Sequence, residues 1–260
     1  MHTFDQSVAS YMSRDLETAS ADAPLDELVR AMHGRGISAI PITDAGGAIV
    51  GVVSRTDLIA LGWRQSGRRG SSAVMPLPRK LARDVMSTEL RVVASDAPVR
   101  RAAHVMYDHA VHRVFVVEDD RLVGVFSTAE AAAAVRDARV ELPLVEVMTR
   151  TVITIDVRAP ISAAVDLLER VRITGVIVTD EDLPIGVFTQ LDALASRDLP
   201  RNTPVDETYD AAVVCLPVDA KLHRAAALAA QLDIRRIVVC RAREAAGVIS
   251  GLDFVRVVAG

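Results

Sequence analysis

Apolar and polar positions along the chain fall into a pattern that returns four times. Its clearest piece is Gly51-Val52-Val53-Ser54-Arg55-Thr56-Asp57. The later copies are Gly124-Val125-Phe126-Ser127-Thr128-Ala129-Glu130, Gly186-Val187-Phe188-Thr189-Gln190-Leu191-Asp192 and Gly247-Val248-Ile249-Ser250-Gly251-Leu252-Asp253, and the glycines lie 73, 62 and 61 residues apart. A glycine, an apolar pair, a hydroxyl residue and an acid three positions on predict a strand that ends in Ser or Thr and turns into a helix. Such a helix start presents free N–H groups and a hydroxyl, which suit an anion. In the first repeat, Asp22-Ala23-Pro24 opens an earlier helix with Leu25, Leu28, Val29 and Met32 on one face, closed by Gly34 and Gly36. Ala39-Ile40-Pro41-Ile42 is the next strand, Asp44 to Gly47 the turn, and Ile49 to Val53 the hairpin partner. A strand-like Leu16-Glu17-Thr18-Ala19 comes before that helix, and Met1 to Ser13 reads as a short helix with Phe4, Val8 and Tyr11 on one side.

The other repeats keep this order. Leu90–Val93, Val152–Ile155 and Ala212–Leu216 are their first strands, and Val114–Val117, Val176–Val178 and Ile237–Cys240 their middle ones. Turns fall at Glu118-Asp119-Asp120 and Asp180-Glu181-Asp182. From the first helix residue to the motif glycine is 27 positions in repeat one (Pro24 to Gly51) and 26 in the others (Pro98 to Gly124, Pro160 to Gly186, Lys221 to Gly247). Register this regular marks a true repeat. The fold class is therefore mixed α/β (α+β), with four strand-helix-hairpin-helix repeats at 1–63, 81–141, 142–199 and 200–260. Residues 64–80 break the rhythm: they carry Arg64, Arg68, Arg69, Arg79 and Lys80 and no acid, and read as a flexible basic linker.

Composition narrows the function. Half the residues are apolar but only 3% are aromatic, which suits a core of many small aliphatic contacts. A net charge of −4 argues against a nucleic-acid partner. Cys215 and Cys240 sit in apolar strand-like runs and are expected to be buried free thiols. No signal pattern opens the chain and no apolar run approaches a membrane span, so a soluble, cytoplasmic protein is expected. His104 and His109 point to different helix faces and His112 falls past the helix end, so no metal site is expected. No nucleophile-base set, phosphate-binding loop or dinucleotide fingerprint appears, and the repeats leave no room for a catalytic domain. The expectation is a non-enzyme that requires no cofactor.

The chain resembles four tandem cystathionine-β-synthase-type (CBS) domains over nearly its whole length. The residues that carry the resemblance are the lead-in elements Tyr11-Met12-Ser13-Arg14-Asp15, Asp84-Val85-Met86-Ser87 and Glu146-Val147-Met148-Thr149, with Ile40-Pro41-Ile42-Thr43-Asp44 and the Gly51-to-Asp57 motif. The resemblance implies that consecutive repeats pair sheet to sheet, giving modules 1–141 and 142–260. It also implies clefts that bind adenosyl ligands such as AMP, ADP, ATP or S-adenosylmethionine. The role implied is regulatory: ligand occupancy passes to a regulated protein partner, and a homodimer is a further expectation.

The family's ligand pattern is Ser-x-Ser/Thr-Asp, with hydroxyls on phosphate and the carboxylate on the ribose. Repeat one matches it in full through Ser54, Thr56 and Asp57. Repeats two to four offer Ser127 and Thr128, Thr189 and Asp192, and Ser250 and Asp253, while Glu130 carries an extra methylene that intrudes on the ribose position. Ahead of the middle strand, His112-Arg113 and Arg235-Arg236 occupy one register position, and Ser38-Ala39 and Thr174-Gly175 fill it in repeats one and three. The His-Arg pair resembles the phosphate-contacting pair of γ subunits of AMP-activated protein kinase, and a cation there adds charge-assisted bonds to phosphate. Ala39, Ile40, Pro41 and Thr174 complete the expected ligand-binding set. A second reading stays open. Ser or Thr followed three residues later by an acid is also a helix capping box, so the motifs can be caps in a non-liganded interaction scaffold.

Overall fold

The structure, a computed structural model, describes residues 4–66, 72–119, 121–242 and 244–260. Met1 of the expected first helix, Arg68 and Arg69 of the linker and Asp120 of the second turn lie outside the described residues. Repeat one forms β1 (Ala19–Ser20), α1 (Leu25–Gly34), β2 (Ala39–Thr43), β3 (Ile49–Ser54) and α2 (Arg55–Ser66). Repeat two forms β4 (Val92–Ala94), α3 (Val99–Asp108), β5 (Arg113–Glu118), β6 (Arg121–Ser127) and α4 (Thr128–Asp137). A short α5 (Leu144–Val147) leads into repeat three, which forms β7 (Thr154–Asp156), α6 (Ile161–Arg170), β8 (Gly175–Asp180), β9 (Leu183–Thr189) and α7 (Gln190–Ala195). Repeat four forms β10 (Cys215–Pro217), α8 (Leu222–Leu232), β11 (Arg236–Arg241), β12 (Glu244–Ser250) and α9 (Gly251–Ala259). The mixed α/β architecture of four like units is as the sequence predicts. The first strands begin later than the apolar runs suggest, and the first helix is a single 3-10 turn, Val8–Ser10.

Each repeat makes one three-stranded sheet. Its short first strand pairs in parallel with the middle one, across the helix, and the middle strand pairs antiparallel with the third through the hairpin. A register shift recurs near the same place in every hairpin, for example between Ile42 and Thr43 and between Val116 and Val117. The first helices bury one stripe at i, i+3, i+4 and i+7: Leu25, Leu28, Val29 and Met32 in α1, and Val99, Ala102, Ala103 and Met106 in α3. Their N-caps are Pro24, Pro98, Pro160 and Lys221, all in extended conformation. Proline suits the position because its ring holds φ near the −64° to −69° seen there and it gives up no helical N–H. Ile40 and Ile42 belong to the helix-side core, while Ala39 and Pro41, also buried, alternate with them on the opposite face. Burial on both faces explains why the middle strands are continuous apolar runs.

The chain divides into two compact units. Unit 1 is Met1–Leu16, Leu90–Val152 and Val214–Gly260; unit 2 is Glu17–Glu89 and Ile153–Val213. Unit 1 thus joins the bodies of repeats two and four, and unit 2 those of repeats one and three. In unit 1, α3 packs on α9, α4 on α8, and α4 on α9; in unit 2, α2 packs on α6 and α7. One apolar core runs through each unit, centred on Met106, Phe126 and Val135 in unit 1 and on Met32, Leu58 and Phe188 in unit 2.

The structure corrects two expectations. The stretch assigned to a flexible linker is partly core: α2 extends to Ser66, and Val74 and Met75 are fully buried. Val74 N–H donates to Leu199 O at 2.9 Å and Met75 N–H to Arg197 O at 3.0 Å, while Ala73 bridges to Pro200. Gly62 receives Met75, since a Cβ there would meet Met75 Cγ at 2.3 Å. Burying two such side chains contributes roughly 1.5–3 kcal/mol each, enough to hold the segment against unit 2. The cysteines differ as well. Cys215 is exposed and Cys240 half-buried, because β10 begins at Cys215 and lies at the sheet edge. Both are free thiols, and burial together with the Cys240 thiol pushes Cys215 up to about 11.

Candidate functional site

The capping geometry is present in all four motifs. Asp57 Oδ2 accepts from the Ser54 N–H at 2.8 Å and from its hydroxyl at 2.6 Å. Glu130 Oε2 accepts from Ser127 at 2.7 and 2.6 Å, Asp192 Oδ2 from Thr189 at 2.7 and 2.7 Å, and Asp253 Oδ2 from Ser250 at 2.8 and 2.8 Å. Glu130 closes its box as tightly as the aspartates, because one added methylene is absorbed by a change of side-chain path. The caps spend one carboxylate oxygen. Asp253 spends the other too: Oδ1 accepts from the Thr149 hydroxyl at 3.1 Å and from Arg256 at 3.2 Å, and the residue is 3% exposed. Burial pushes the Asp192 carboxyl above its ordinary value, against the lowering effect of the Thr189 bonds.

Motif helices from alternate repeats begin beside one another. In unit 2, α2 starts at Arg55 and α7 at Gln190. Gln190, 7% exposed, donates from Nε2 to Thr56 Oγ1 at 3.1 Å. The second hydroxyl of the one complete ligand motif is therefore engaged by a side chain 134 residues away. Arg55, 5% exposed, turns back toward Met32 O at 3.4 Å. Thr174 O and Ser38 O accept from the first N–H of α7 and of α2. The first N–H of α4 in unit 1 is engaged in the same way, donating to His112 O at 3.1 Å.

In unit 1, α4 starts at Thr128 and α9 at Gly251, and a Cβ on Gly251 would lie 2.5 Å from Thr128 Cβ. Arg113 pairs across the hairpin with Ser127, and Arg236 with Ser250, so each arginine stands beside the N-cap of its own motif helix. Since the two helix starts abut, both arginines converge there. Their charges bear this out. Burial first, then Arg235, lower Arg113 to about 10, while Glu130 opposes the fall; burial and Arg235 lower Arg236 to about 10. Arg113 and Arg236 are half-buried, and Arg235 is exposed. His112 is held down to about 4 by burial and by Arg113, Arg236 and Arg235. The structure thus brings together His112, Arg113, Ser127, Thr128, Arg235, Arg236, Ser250 and Asp253 in unit 1. It gathers Ser54, Thr56, Asp57, Thr174, Thr189 and Asp192 in unit 2, with Ala39 and Pro41 on the outer sheet face and Ile40 in the core. Gln190 escaped sequence reasoning: it sits at a non-conforming motif position, and only its partner shows its use.

The motif glycines have a packing role. A Cβ at Gly51 would lie 2.6 Å from Met86 Sδ, at Gly124 2.5 Å from Met12 Sδ, and at Gly247 2.6 Å from Met148 Sδ. At Gly186 it would meet the Tyr209 ring at 2.3 Å. Every lead-in therefore docks on the third strand of the neighbouring repeat, with bridges Ser13–Val125, Val52–Ser87, Thr149–Val248 and Val187–Asp210. Repeats one and two exchange lead-ins reciprocally, and so do repeats three and four. Tyr209 takes the methionine's place in the fourth, which hid that lead-in from the sequence pattern.

With this geometry in hand, the chain can be set beside known proteins. The family model described as CBS domain matches residues 8–63, 82–137 and 144–198. The fourth repeat lies beyond those matches, yet its sheet has the same order and register. An uncharacterised protein of Methanocaldococcus jannaschii, MJ1404, is 22% identical over 98% of this chain, which spans only 62% of that relative's length. Among solved structures, MJ1225 of the same organism, a proposed archaeal homologue of γ-AMPK, superimposes with a TM-score of 0.82 at 16% identity, covering 96% of this chain and 99% of that one. An uncharacterised conserved protein of Pyrococcus horikoshii gives 0.68 at 19% identity, covering 97% of this chain and all of that one. At these identities the likeness to solved structures is one of fold. Among the described residues no helix is long and apolar enough to cross a membrane.

Proposed function

The chain belongs to the CBS-domain family, and from that premise we propose that it is a cytoplasmic regulator that binds an adenosine nucleotide (AMP, ADP or ATP) in clefts between paired repeats. The pairs in this reading are the consecutive repeats, modules 1–141 and 142–260, whose reciprocal exchange of lead-ins supports them. The observation that carries the reading is that each pair has one cation pair beside the N-cap of a motif helix: His112-Arg113 at Ser127 in the first module and Arg235-Arg236 at Ser250 in the second. Oriented N–H groups and guanidiniums are the groups that recognise a phosphate chain. Ligand changes output only if the liganded and empty states differ in their contacts with a regulated partner. No covalent step is needed, so the protein is read as a regulator and not an enzyme.

Native mass spectrometry of the freshly purified chain, followed by calorimetry with ATP, AMP and adenosine, tests this. A retained nucleotide and fewer than four nucleotides bound per chain are expected, since Glu130 is a poor ribose partner. Asp57→Glu separates ribose contact from capping: Glu130 shows that glutamate closes the box, so the variant should keep its stability and lose nucleotide affinity. The closed capping boxes at all four motifs favour a second reading, an interaction scaffold without ligand. It takes over if no nucleotide is retained and none binds at millimolar concentration.

A further inference from the structure

Unit 2 holds a cavity of about 300 Å³ between the C-terminal half of α1 and the side of α7. Val29, Met32, Leu191 and Leu194 line its walls, and Arg30, His33 and Arg197 stand around them. Comparison with unit 1 shows why this space is left. The equivalent helices there are α3 and α9, and α3 packs along α9, whereas α1 only touches α7. Counted from the N-caps Thr189 and Ser250, Ala193 stands for Phe254 and Arg197 for Val258. Phe254 and Val258 are core residues of unit 1. Helix α7 stops at Ala195 after 6 residues while α9 runs for 9, so Arg197 lies beyond the helix end. Helix α1 is bulkier than α3, with Leu28 and Val29 for Ala102 and Ala103, but Arg197 brings no apolar end to the place of Val258.

The charges around the cavity are of one sign: among the described residues its lining includes no acid. Arg197 donates from Nη1 to Leu194 O at 3.2 Å, and its other nitrogens reach Asp26 and Asp198 only at 3.5 Å. Those acids are 60% and 77% exposed, and ion pairs so long and so open to water give way to a better partner. The carbonyls that end α1 are already met. Ala31 O accepts from the Arg35 N–H, His33 O from the Gly36 N–H, and Met32 O from Arg55, so the negative end of the helix is not turned on the cavity. An apolar slot with cations at its rim matches an apolar acid. Its chain covers Val29, Met32 and Leu194, and its carboxylate takes a guanidinium in a charge-assisted bond. We propose that this cavity binds a small apolar carboxylate, an aliphatic or aromatic acid, whose chain takes the place that Val258 fills in unit 1. The site does not rest on the nucleotide reading.

The volume sets the size of the ligand. A cavity of about 300 Å³ is at the small end of ligand sites, so a long acyl chain would leave most of its carbons in water. Gly34 contributes to one wall, and a Cβ there would meet nothing within 4 Å. A larger residue at this position can therefore narrow the cavity without displacing a neighbour.

The test uses the full chain with octanoate as the probe. Calorimetry should give one octanoate per chain. Acetate has the charge without the chain and octanol the chain without the charge, and each should bind about tenfold more weakly or worse. Arg197→Val installs the residue of unit 1. It should fold as wild type by circular dichroism, keep or raise the thermal midpoint, and weaken octanoate about tenfold or more. Arg197→Lys keeps the charge without the fork and should bind between wild type and Arg197→Val. Gly34→Leu leaves every charge in place and should weaken octanoate by taking its space. The proposal is overturned if octanoate does not bind at millimolar concentration, if octanol binds as well, or if Arg197→Val or Gly34→Leu binds undiminished. Displacement of octanoate by ATP overturns it too, because the acid would then lie in the nucleotide cleft. Octanoate that binds one to one and is retained when ATP is added supports it, whether or not ATP itself binds.

Discussion

In unit 1 the motif helices begin with Thr128 and Gly251, small residues in close contact, and arginines pair across the hairpins with their N-caps. In unit 2 the same two positions are Arg55 and Gln190: Gln190 bonds Thr56 of the other helix start, and Arg55 turns back to Met32 O. Both junctions arise from one repeat with the same caps and the same hairpin register. The difference lies in four residues at the helix starts and four at the strand starts. One scaffold can therefore set arginines beside the helix N-caps or join two helix starts by a glutamine–threonine hydrogen bond. Which one forms is decided by the pair of repeats that meet, because a junction needs one helix from each.

The sharpest way to break this comparison is at the motif acids. Asp253→Ala strands the Ser250 N–H, the Thr149 hydroxyl and Arg256 around a buried position, and should cost about 2–4 kcal/mol in urea unfolding. Asp57→Ala loses only a cap and should cost about 1 kcal/mol. Equal losses would mean that the two acids do the same work.

Acid should act on unit 1 through His112. Its folded value is about 4, against an ordinary 6.5, because burial and Arg113, Arg236 and Arg235 resist a further charge; Glu130 is the nearby acid acting on Arg113. Between pH 6.5 and 4 the unfolded chain takes up this proton and the folded chain does not, so stability falls as pH drops through that window. The shift bounds the loss at about 3 kcal/mol, and His112→Gln should flatten that part of a stability-versus-pH curve. Unit 2 has Ser38 and Thr174 at this position and contributes no such slope there.

The junctions themselves can be exchanged in part. Gly251→Ala puts a methyl group into Thr128 and should cost about 1–3 kcal/mol in urea unfolding. Gln190→Ala removes one buried hydrogen bond from unit 2 and should cost about 1 kcal/mol. A larger loss for Gln190→Ala than for Gly251→Ala in the same unfolding measurement would overturn that order.

Relations of short range were legible in the sequence: four repeats in register, their strand-helix-hairpin-helix order, and the capping boxes three residues long. Each rests on a period or an offset that the chain repeats locally. Long-range relations were not. That repeat two shares a core with repeat four, that Gln190 reaches Thr56, and that Met12 covers Gly124 depend on which surfaces meet after folding, and no local period encodes a partner more than a hundred residues away. The same holds for Val74 and Met75, whose basic neighbours look like linker but whose own side chains are buried, Met75 against Gly62. The amino-acid sequence determined what each repeat is, because caps and apolar periodicity act within one element. Tertiary structure decided what each junction does, because its charge and its space come from two repeats at once.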